Sequence, residues 1–336
     1  MKVLVTGAAG FLGRNVVDAL LRRGHSVRAI VRPASEDFLP SENLEIFAAD
    51  LRVHDNLISA LTDINTVLHL AAATSGNEDL QFASTVMGTE RFLEAMARSP
   101  VRRLIHVSSL VVYDWARVNG TMDENSPTLK DPYSMGGYAI AKVWQERLVR
   151  RFANINSWEL TVIRPGFIWG RDHAKIAGMG RQFGRAYVMF GPFTHLPLCH
   201  VVNCADCLVA TVEKPEAIGQ TFNLIDNGEI RVWRYMREYA RGTGKQGLMV
   251  PVPYYLAYAV AVVASLTNRT LFGNKGRLPS LLTPWQFASQ FKPIRFSNRK
   301  LKEILGWQPI ITFDQSLRLT YVKRDVGDRT TQLLIR

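Results

Sequence analysis

Hydrophobic and polar positions follow two different rhythms along the first half of the chain. Short, nearly continuous apolar runs are typical of strands that are buried on both faces of a sheet. Between these runs, apolar residues recur every three or four positions, as on one face of an amphipathic helix. The runs predict strands at 2–8, 26–32, 44–50, 66–72, 102–109, 159–166 and 220–226, and the periodic segments predict helices at 13–25, 55–63, 83–99 and 138–153.

The alternation of strands and helices predicts an α/β fold. Strands that are apolar throughout favour a Rossmann-type doubly wound parallel sheet with helices on both faces. Sheets of this kind bind ligands beyond the carboxyl ends of their strands. The loops expected to reach such a ligand are 7–13, 32–36, 50–52, 71–76, 108–113 and 165–171.

The rhythm weakens after the first half, where Gly, Pro and aromatic residues become more frequent. We therefore expect a nucleotide-binding Rossmann domain and a smaller C-terminal substrate lobe. The expected boundaries are 1–170 for the Rossmann domain with 201–227 returning to it, 171–200 and 228–320 for the lobe, and 321–336 for a basic tail.

One segment of the second half, residues 253–266, is almost wholly apolar and is predicted to be helical. It is shorter than the stretch of about 20 residues that spans a bilayer. We expect this helix to be buried in the lobe or to line a pocket for an apolar substrate. The alternative is a surface that dips into a membrane with the help of basic charge.

Net charge and cysteine content indicate which classes of binding partner and which cellular compartment to expect. The chain of 336 residues carries 41 Lys and Arg against 29 Asp and Glu, a formal net charge of +12. The basic residues are scattered and no nucleic-acid motif accompanies them, so no nucleic-acid partner is expected. The first strand begins at residue 2, which leaves no room for a signal peptide. Three cysteines fit a reducing cytosol, and a cytoplasmic protein, with membrane association as an alternative, is expected.

Cys204 and Cys207 have the spacing of a metal-binding pair, and His195, Cys199 and His200 lie nearby. A zinc site usually needs a second ligand pair at defined spacing, which the chain does not offer. We expect no metal, and interpret the segment as a strand end that runs into a helix with the thiols as small core residues.

The stretch "TGAAGFLG" places Gly7, Gly10 and Gly13 between the first predicted strand and the first predicted helix. Such a turn lets the backbone approach a pyrophosphate, and the helix N-terminus attracts the anion. A third glycine permits close packing of helix and strand. This context predicts a dinucleotide site.

The stretch "YAIAK" places Tyr138 and Lys142 one turn apart on one helical face. Hydride transfer at an alcohol carbon requires a proton to move on the oxygen, which a phenol can supply or accept. A nearby ammonium favours the phenolate and lowers the pKa of the phenol. Ser109, at a predicted strand end, can hydrogen-bond the same substrate oxygen. These three residues are the candidate catalytic set.

The G-x-x-G-x-x-G spacing after a threonine, together with Ser109, Tyr138 and Lys142, resembles the short-chain dehydrogenase/reductase superfamily. The form "TGAAGFLG" and the chain length resemble its extended branch, the NAD-dependent epimerase/dehydratase proteins. The stretches "AADL", "HLAAA", "VIRPGFIWG" and "GQTFNL" also look like family features, so that the resemblance covers residues 1 to about 320.

The resemblance implies which residues contact the dinucleotide. Asp50 stands where the family contacts the adenine, while Thr85 replaces an Asn that is often found in the long helix. The implied cofactor-binding residues are Thr6, Gly7, Gly10, Phe11, Leu12, Gly13, Arg32, Asp50, Leu51, Ala71, Ala72, Ala73, Tyr138, Lys142, Pro165, Gly166 and Ile168.

Departures from the family pattern narrow the chemistry. Dehydratases of this branch usually carry an acidic pair after the catalytic Ser or Thr, whereas Leu110 and Val111 follow Ser109 here. Many nucleotide-sugar epimerases have an Asn in the loop after the sixth strand, where this chain has Phe167. The pattern looks more like the 3β-hydroxysteroid dehydrogenase and dihydroflavonol-reductase-like members.

The end of the second strand sets the choice between NAD and NADP. An acidic residue there binds the ribose hydroxyls of NAD and repels the extra phosphate of NADP. This chain has Val31 at that position, followed by Arg32, whose guanidinium suits a phosphate. NADP is therefore favoured over NAD.

We expect an NAD(P)-dependent oxidoreductase that transfers hydride at a secondary alcohol or ketone of a sugar-, sterol- or polyketide-like substrate. In this interpretation Tyr138 is the general acid/base, Lys142 lowers its pKa and holds the nicotinamide ribose, and Ser109 polarises the substrate oxygen. The alternatives are a nucleotide-sugar epimerase that retains NAD and a non-catalytic dinucleotide-binding regulator. The resemblance also allows a homodimer built on helices at 84–98 and 138–152.

Overall fold

The computed structural model describes residues 1–33, 41–52, 57–245, 247–273 and 278–321, with only the backbone of Phe272. The strands in these residues are β1 (Lys2–Thr6), β2 (Ser26–Val31), β3 (Leu44–Ala48), β4 (Thr66–His69), β5 (Arg103–Val107), β6 (Thr121–Met122), β7 (Glu159–Pro165), β8 (Phe167–Trp169), β9 (Arg181–Phe183), β10 (Ala186–Phe190), β11 (Leu198–His200), β12 (Thr221–Leu224), β13 (Leu248–Val252) and β14 (Arg295–Phe296). The α-helices are α1 (Phe11–Arg22), α2 (Glu78–Phe82), α3 (Gly88–Ala97), α4 (Gly137–Ile155), α5 (Val201–Glu213), α6 (Val232–Thr243), α7 (Tyr254–Phe272), α8 (Pro284–Phe291), α9 (Arg299–Leu305) and α10 (Phe313–Tyr321).

Seven strands form one sheet in the order β12-β7-β5-β4-β1-β2-β3, and every neighbouring pair is parallel. The chain builds outward from β1 through β2 to β3, and then returns to the other side of β1 with β4. This reversal creates a crevice beyond the carboxyl ends of β1 and β4, where open α/β sheets bind their ligands. The predicted Rossmann-type α/β fold is confirmed.

Alternate residues of β1 point into two separate cores. Val3 and Val5 belong to a core that contains residues of α1 and α5, including Val16 and Leu208. Leu4 belongs to the core on the opposite face, with residues of α3 and α4. Because both faces of the sheet are covered, its strands are apolar throughout, as the sequence pattern indicates.

Two predicted helices differ from the structure. The segment 55–63 forms only a 3₁₀ turn at Ser59–Leu61 in its described part, residues 57–63. The apolar side chains of this turn are buried, and Asp63 follows with a φ of 59°, which ends the helical path. The helix predicted at 83–99 begins earlier, at Glu78, because the Asn77 side chain accepts a hydrogen bond from the Leu80 N–H. A π-helical turn at Ala83–Met87 connects α2 to α3.

The second half of the chain adds a strand to the seven-stranded sheet and also forms a separate hydrophobic core. β12 pairs with β7, as the apolar run at 220–226 predicts. Trp169, Tyr187 and Tyr235 instead form a separate core with residues of α6. The domain boundaries given above stay a prediction, and residues 322–336 of the expected tail lie outside the described residues.

The three cysteines lie where the segment around them predicts a strand followed by a helix. β11 runs directly into α5, and Cys199, Cys204 and Cys207 are free and buried in the core beside the sheet. Within the described ranges, no group of three or more His, Cys, Asp and Glu side chains has the arrangement of a metal site.

Helix α7 is longer than predicted, with 19 residues, and its environment differs from the favoured expectation. It packs on one side against α8, while its remaining surface presents large apolar side chains to solvent. These exposed side chains are Tyr255, Leu256, Val260, Val263, Leu266 and Leu271. The expectation of a helix that is buried or lines the pocket is therefore wrong. No helix in the described part of the chain is long and apolar enough to cross a membrane.

Candidate active site

The glycine turn joins β1 to α1 at the crevice. Gly7 has a φ of 68°, and a Cβ atom there would lie 2.9 Å from the backbone nitrogen of Ala71. A Cβ atom on Gly13 would lie 2.2 Å from the carbonyl oxygen of Gly7. Gly10 precedes α1 without a side-chain cap, so that the first-turn N–H groups of the helix can receive an anion. The turn is therefore a cradle that fits a pyrophosphate.

A cleft of about 1310 Å³ extends from this turn along the carboxyl edge of the sheet to the C-terminal lobe. The structure brings the three candidate catalytic residues and nearly all the predicted cofactor residues to its wall. Those residues are Gly7, Gly10, Phe11, Leu12, Gly13, Arg32, Asp50, Leu51, Ala71, Ala72, Ala73, Ser109, Tyr138, Lys142, Pro165, Gly166 and Ile168.

Thr6 is the predicted residue that does not line the cleft. Its side chain is fully buried beneath the cleft wall, and its Oγ1 lies 2.8 Å from Nδ1 of His69. The same oxygen accepts a hydrogen bond of 3.3 Å from the backbone N–H of Ala71. Thr6 thus holds the backbone that forms the wall of the site.

Ser109, Tyr138 and Lys142 come from two elements that meet in the cleft. Ser109 follows β5 and caps the 3₁₀ turn at Leu110–Val112, where its Oγ accepts from the Val111 N–H at 3.2 Å. Tyr138 is the second residue of α4, and Lys142 follows one helical turn later. Ser109 is the hydrogen-bonding neighbour of the Tyr138 phenol, and its side chain lowers the pKa of that group.

The pKa values of Tyr138 and Lys142 differ from those that the sequence predicts. Burial raises the pKa of Tyr138, and the hydrogen bond with Ser109 only partly offsets this. Burial lowers the pKa of Lys142 to about 7, against the attraction of Glu146. The Lys142 ammonium donates to the carbonyl oxygen of Val107 and to Oε1 of Gln145, both at 2.8 Å. Burial and Ser109 account for the pKa of Tyr138, and the expected lowering of that pKa by Lys142 is not found in this structure.

Gln145 is a polar residue of the site that sequence analysis misses. Besides accepting from Lys142, its side-chain nitrogen donates to the carbonyl oxygen of Ala71 at 2.9 Å and to Oγ1 of Thr89 at 2.8 Å. Gln145 therefore connects the lysine to the wall formed by residues 71–73. Its position on the same helix, three residues after Lys142, is the signal that could have revealed it.

A buried ion pair fixes α4 against the sheet. Arg164 of β7 donates to both carboxylate oxygens of Glu146, at 3.0 and 2.5 Å, and the Ser108 hydroxyl donates to the same carboxylate at 2.5 Å. Burial by itself raises the pKa of Glu146, but the hydrogen bonds and charge of Arg164 lower it to about 2. This pair sits one turn beyond Lys142 and holds the catalytic helix in place.

Three arginines line the other end of the cleft, beyond β2 and β3. Arg32 is exposed there, and Arg14 and Arg52, which sequence analysis misses, share the same wall. The guanidinium of Arg52 binds the Asp50 carboxylate at 2.6 Å, and these hydrogen bonds lower the pKa of Asp50. A contact of Asp50 with adenine, as the resemblance implies, stays a prediction.

The glycine turn and the C-terminal lobe touch across the cleft. The rings of Phe11 and His173 stack with their centroids 3.9 Å apart and their planes 14° from parallel. His173 follows Asp172, whose φ of 66° turns the loop toward α1. The sequence does not identify His173, because its partner Phe11 lies far from it along the chain.

A doubly wound parallel sheet with a glycine cradle at its switch point, and a serine, a tyrosine and a lysine in the same cleft, is the arrangement of a dinucleotide-dependent oxidoreductase. The chain belongs to the NAD dependent epimerase/dehydratase family, whose model matches residues 3–224. It is an NAD-dependent oxidoreductase/epimerase of the extended short-chain dehydrogenase/reductase type.

Proteins similar to this chain over nearly its whole length include two curated enzymes and a solved structure. A 4-hydroxy-2-methyl-3-oxo-4-farnesyl-3,4-dihydroquinoline-1-oxide ketoreductase of Stigmatella aurantiaca is 28% identical, over 94% of this chain and 95% of that protein. The decarboxylating sterol-4-alpha-carboxylate 3-dehydrogenase of Mus musculus is 27% identical, over 95% and 90%. The crystal structure of gox2253 aligns with a TM-score of 0.76 and 25% identity, over 95% and 96%.

Proposed function

We propose that this protein transfers hydride between a nicotinamide dinucleotide and a secondary alcohol or ketone carbon of a sterol- or polyketide-like substrate. The observation that carries the proposal is the meeting of Ser109, Tyr138 and Lys142 in the cleft that begins at the glycine cradle. The ketoreductase and the sterol dehydrogenase, which are similar over nearly the whole chain, support by their names the choice of an apolar substrate.

Each residue of the set has a role that follows from its position. The Tyr138 hydroxyl gives a proton to the substrate oxygen in reduction and takes it back in oxidation, and the Ser109 hydroxyl orients that oxygen. Lys142, one helical turn beyond Tyr138 in the same cleft, holds the ribose of the nicotinamide nucleotide. The dinucleotide, seated on the glycine cradle, supplies or accepts the hydride.

The absorbance of the reduced nicotinamide distinguishes this function from its main alternative. We expect the protein to oxidise NADPH or NADH in the presence of at least one ketone from a panel of steroid, isoprenoid and polycyclic aromatic ketones. UDP-glucose should cause no change in absorbance and should not be converted to its epimer. Epimerisation of UDP-glucose without net cofactor turnover, and no reaction with any ketone, would instead establish the epimerase.

We propose NADP as the preferred cofactor. Val31 is buried at the end of β2, so that no carboxylate of that residue meets the adenosine ribose, and the guanidinium of Arg32 lies at the cleft wall. Arg14 adds a further cation to the same end of the cleft, where Arg52 is paired with Asp50. A phosphate monoester fits this environment better than a free hydroxyl.

Substitution of Arg32 tests the cofactor preference. Arg32→Ala should weaken NADP binding about tenfold and leave NAD binding within about twofold, because one charge-assisted contact to the extra phosphate is lost. Calorimetric titration of both dinucleotides gives the two affinities. Arg22→Ala removes an exposed arginine that pairs with Asp18 on the outer side of α1, and should change neither. Equal weakening of NAD and NADP by Arg32→Ala would contradict the phosphate contact.

We propose that the exposed face of α7 lies on an anionic membrane surface of the cytosol. Leu256, Val260 and Val263 follow one another at helical spacing on a single face and are each more than half exposed. The formal net charge of +12 attracts the chain to anionic lipid. The three cysteines, which are free and buried, fit the reducing cytosol.

We also propose a homodimer through the helices that contain residues 84–98 and 138–152. Exposed apolar side chains on the same bundle, Phe82 and Met87, support this surface. Light scattering should then give twice the chain mass of 37.8 kDa, and a mass of one chain would contradict the dimer.

A further inference from the structure

The charge of the cleft exceeds what a dinucleotide and the catalytic set require. Asp50 is the single carboxylate among the described residues that line it, and Arg52 already neutralises that group. The cationic side chains of the wall are Arg14, Arg32, Arg52, Lys142, Lys175 and Arg181. Lys175 and Arg181 come from the segment after β8, whereas Arg14 belongs to α1 and Arg32 and Arg52 follow β2 and β3.

Arg181 is half-buried at the start of β9 without an acidic partner among the described residues. Its terminal nitrogens donate to the carbonyl oxygens of Ala177 and Gly180, both at 3.2 Å, and to Oε1 of Gln290 at 2.7 Å. The guanidinium also lies 5.8 Å from the ring centroid of Phe291. Burial lowers the pKa of Arg181, which shows that no nearby carboxylate offsets the lost hydration. A half-buried cation without a carboxylate beside it favours an anionic ligand.

Helix α8 presents a polar face to the same part of the cleft. Gln286, Ser289 and Gln290 lie at i, i+3 and i+4 and line the cleft, while Phe287 and Phe291 on the other side of the helix are buried. Of these three residues, Gln290 accepts a hydrogen bond from the Arg181 guanidinium.

The same helix connects Arg181 to the catalytic end. The Gln286 side chain donates to the carbonyl oxygen of Ser134 at 2.9 Å, in the loop that leads into α4 and Tyr138. Tyr138 and Arg181 line the same cleft.

We propose that Arg181 binds an acidic group of the substrate, a carboxylate or a phosphate, while the apolar body of that molecule lies against Trp115, Phe167 and Ile176. The guanidinium matches either group in a planar, two-pronged contact, and the exposed ammonium of Lys175 adds attraction at the cleft wall. This inference rests on the proposed function, since it concerns the substrate of the same site. It specifies an amphipathic acid rather than a neutral apolar molecule.

A purely structural role of Arg181 makes a different prediction. Its bonds to residues 177, 180 and 290 tie the loop before β9 to α8, so that its loss could lower stability. Such a role would weaken acidic and neutral ligands alike. Discrimination between two ligands that differ in one group is the property that only the anion site confers.

The test compares matched ligands on the NADP-loaded protein. The probes are farnesoic acid, farnesyl monophosphate and methyl farnesoate, and 3-oxocholanoic acid with its methyl ester, with binding followed by tryptophan fluorescence. The wild type should bind at least one of the acids or the phosphate about tenfold tighter than the matching ester, the size of one charge-assisted contact. Arg181→Gln should abolish the preference. Arg185→Gln, which removes an exposed arginine of the same hairpin outside the cleft wall, should retain it.

Each outcome bears on one proposal. A wild type without a preference for an anionic probe, including one that binds none of the probes, overturns the anion site, and so does a preference that survives Arg181→Gln. Whether the acid or the phosphate binds tighter identifies which anion the site takes. Turnover of neutral ketones without any acid preference would refute the anion site alone. An acid preference without turnover of any ketone would refute the hydride-transfer proposal alone.

Discussion

Glu146 lies outside the candidate catalytic set, but its ion pair with Arg164 holds α4, the helix that carries Tyr138 and Lys142. The pKa of this carboxylate is about 2, far below its ordinary value of 4.5. Burial alone would raise this pKa, but the Arg164 guanidinium, which binds the carboxylate in the interior, lowers it. The stability that this pair contributes is fully present above about pH 4.5 and is lost as the pH falls toward 2. By linkage the loss amounts to about 3 kcal/mol.

Substitution of this residue has two expected consequences for the free energy of unfolding. Glu146→Gln should lower it by about 3–5 kcal/mol at neutral pH, because Arg164 then lacks its counter-charge. It should also remove the loss of stability between about pH 4.5 and 2 that Glu146 causes. Urea unfolding at pH values across this range measures both. Glu303→Gln, in an exposed pair with Arg299, should change stability by less than about 0.5 kcal/mol. Unchanged stability of Glu146→Gln at neutral pH would refute this account.

At the scale of elements, the loop that carries His173 contacts the turn that carries Phe11, and both residues line the cleft. His173→Ala removes the stacked pair and should release the dinucleotide about two- to tenfold faster, the range expected for one aromatic contact. Stopped-flow displacement of bound NADPH measures the rate. His173→Phe keeps the stack and should keep the slow release. A wild-type release rate in His173→Ala would show that the contact does not hold the cofactor.

Elements defined by local pattern could be predicted from the sequence, and contacts between distant segments could not. The glycine turn, α1 and the Tyr138–Lys142 face of α4 each lie within a few residues, so that spacing alone reveals them. Arg181 and His173 gain their meaning from partners far away in the chain, Gln290 and Phe11. The helix predicted at 55–63 is wrong in its described part, where Ala60 and Leu61 are buried in a single turn that leads back to β4.

At the scale of the whole molecule, net charge and the apolar face of α7 act together. Hydropathy identifies this helix as apolar but does not say what covers it, and in the fold only one side packs against α8. An apolar surface with a positively charged body is suited to anionic lipid. We therefore expect the proposed membrane contact to depend on the exposed side of α7 and on the charge of the vesicle.

The double substitution Val260→Glu/Val263→Glu tests this arrangement. The wild type should sediment with phosphatidylserine-containing vesicles but not with pure phosphatidylcholine vesicles. The affinity of the double variant for the phosphatidylserine-containing vesicles should be at least about tenfold lower. Ile310→Glu, at another exposed apolar position, should leave binding unchanged. Failure of the wild type to sediment with anionic vesicles would refute the membrane surface. A change of oligomeric mass in the double variant would instead assign this face to a second copy of the chain.

The central claim, acid–base chemistry by Tyr138 in a dinucleotide cleft, is tested most directly by Tyr138→Phe. With the ketone that the wild type reduces, turnover should fall by about a hundredfold or more, because the phenol proton is lost. The affinity for the dinucleotide should stay within about twofold, since the glycine cradle is untouched. Tyr133→Phe, at an exposed tyrosine before α4, serves as the control and should retain full activity. Retention of most of the turnover by Tyr138→Phe, with the dinucleotide bound, would contradict the account.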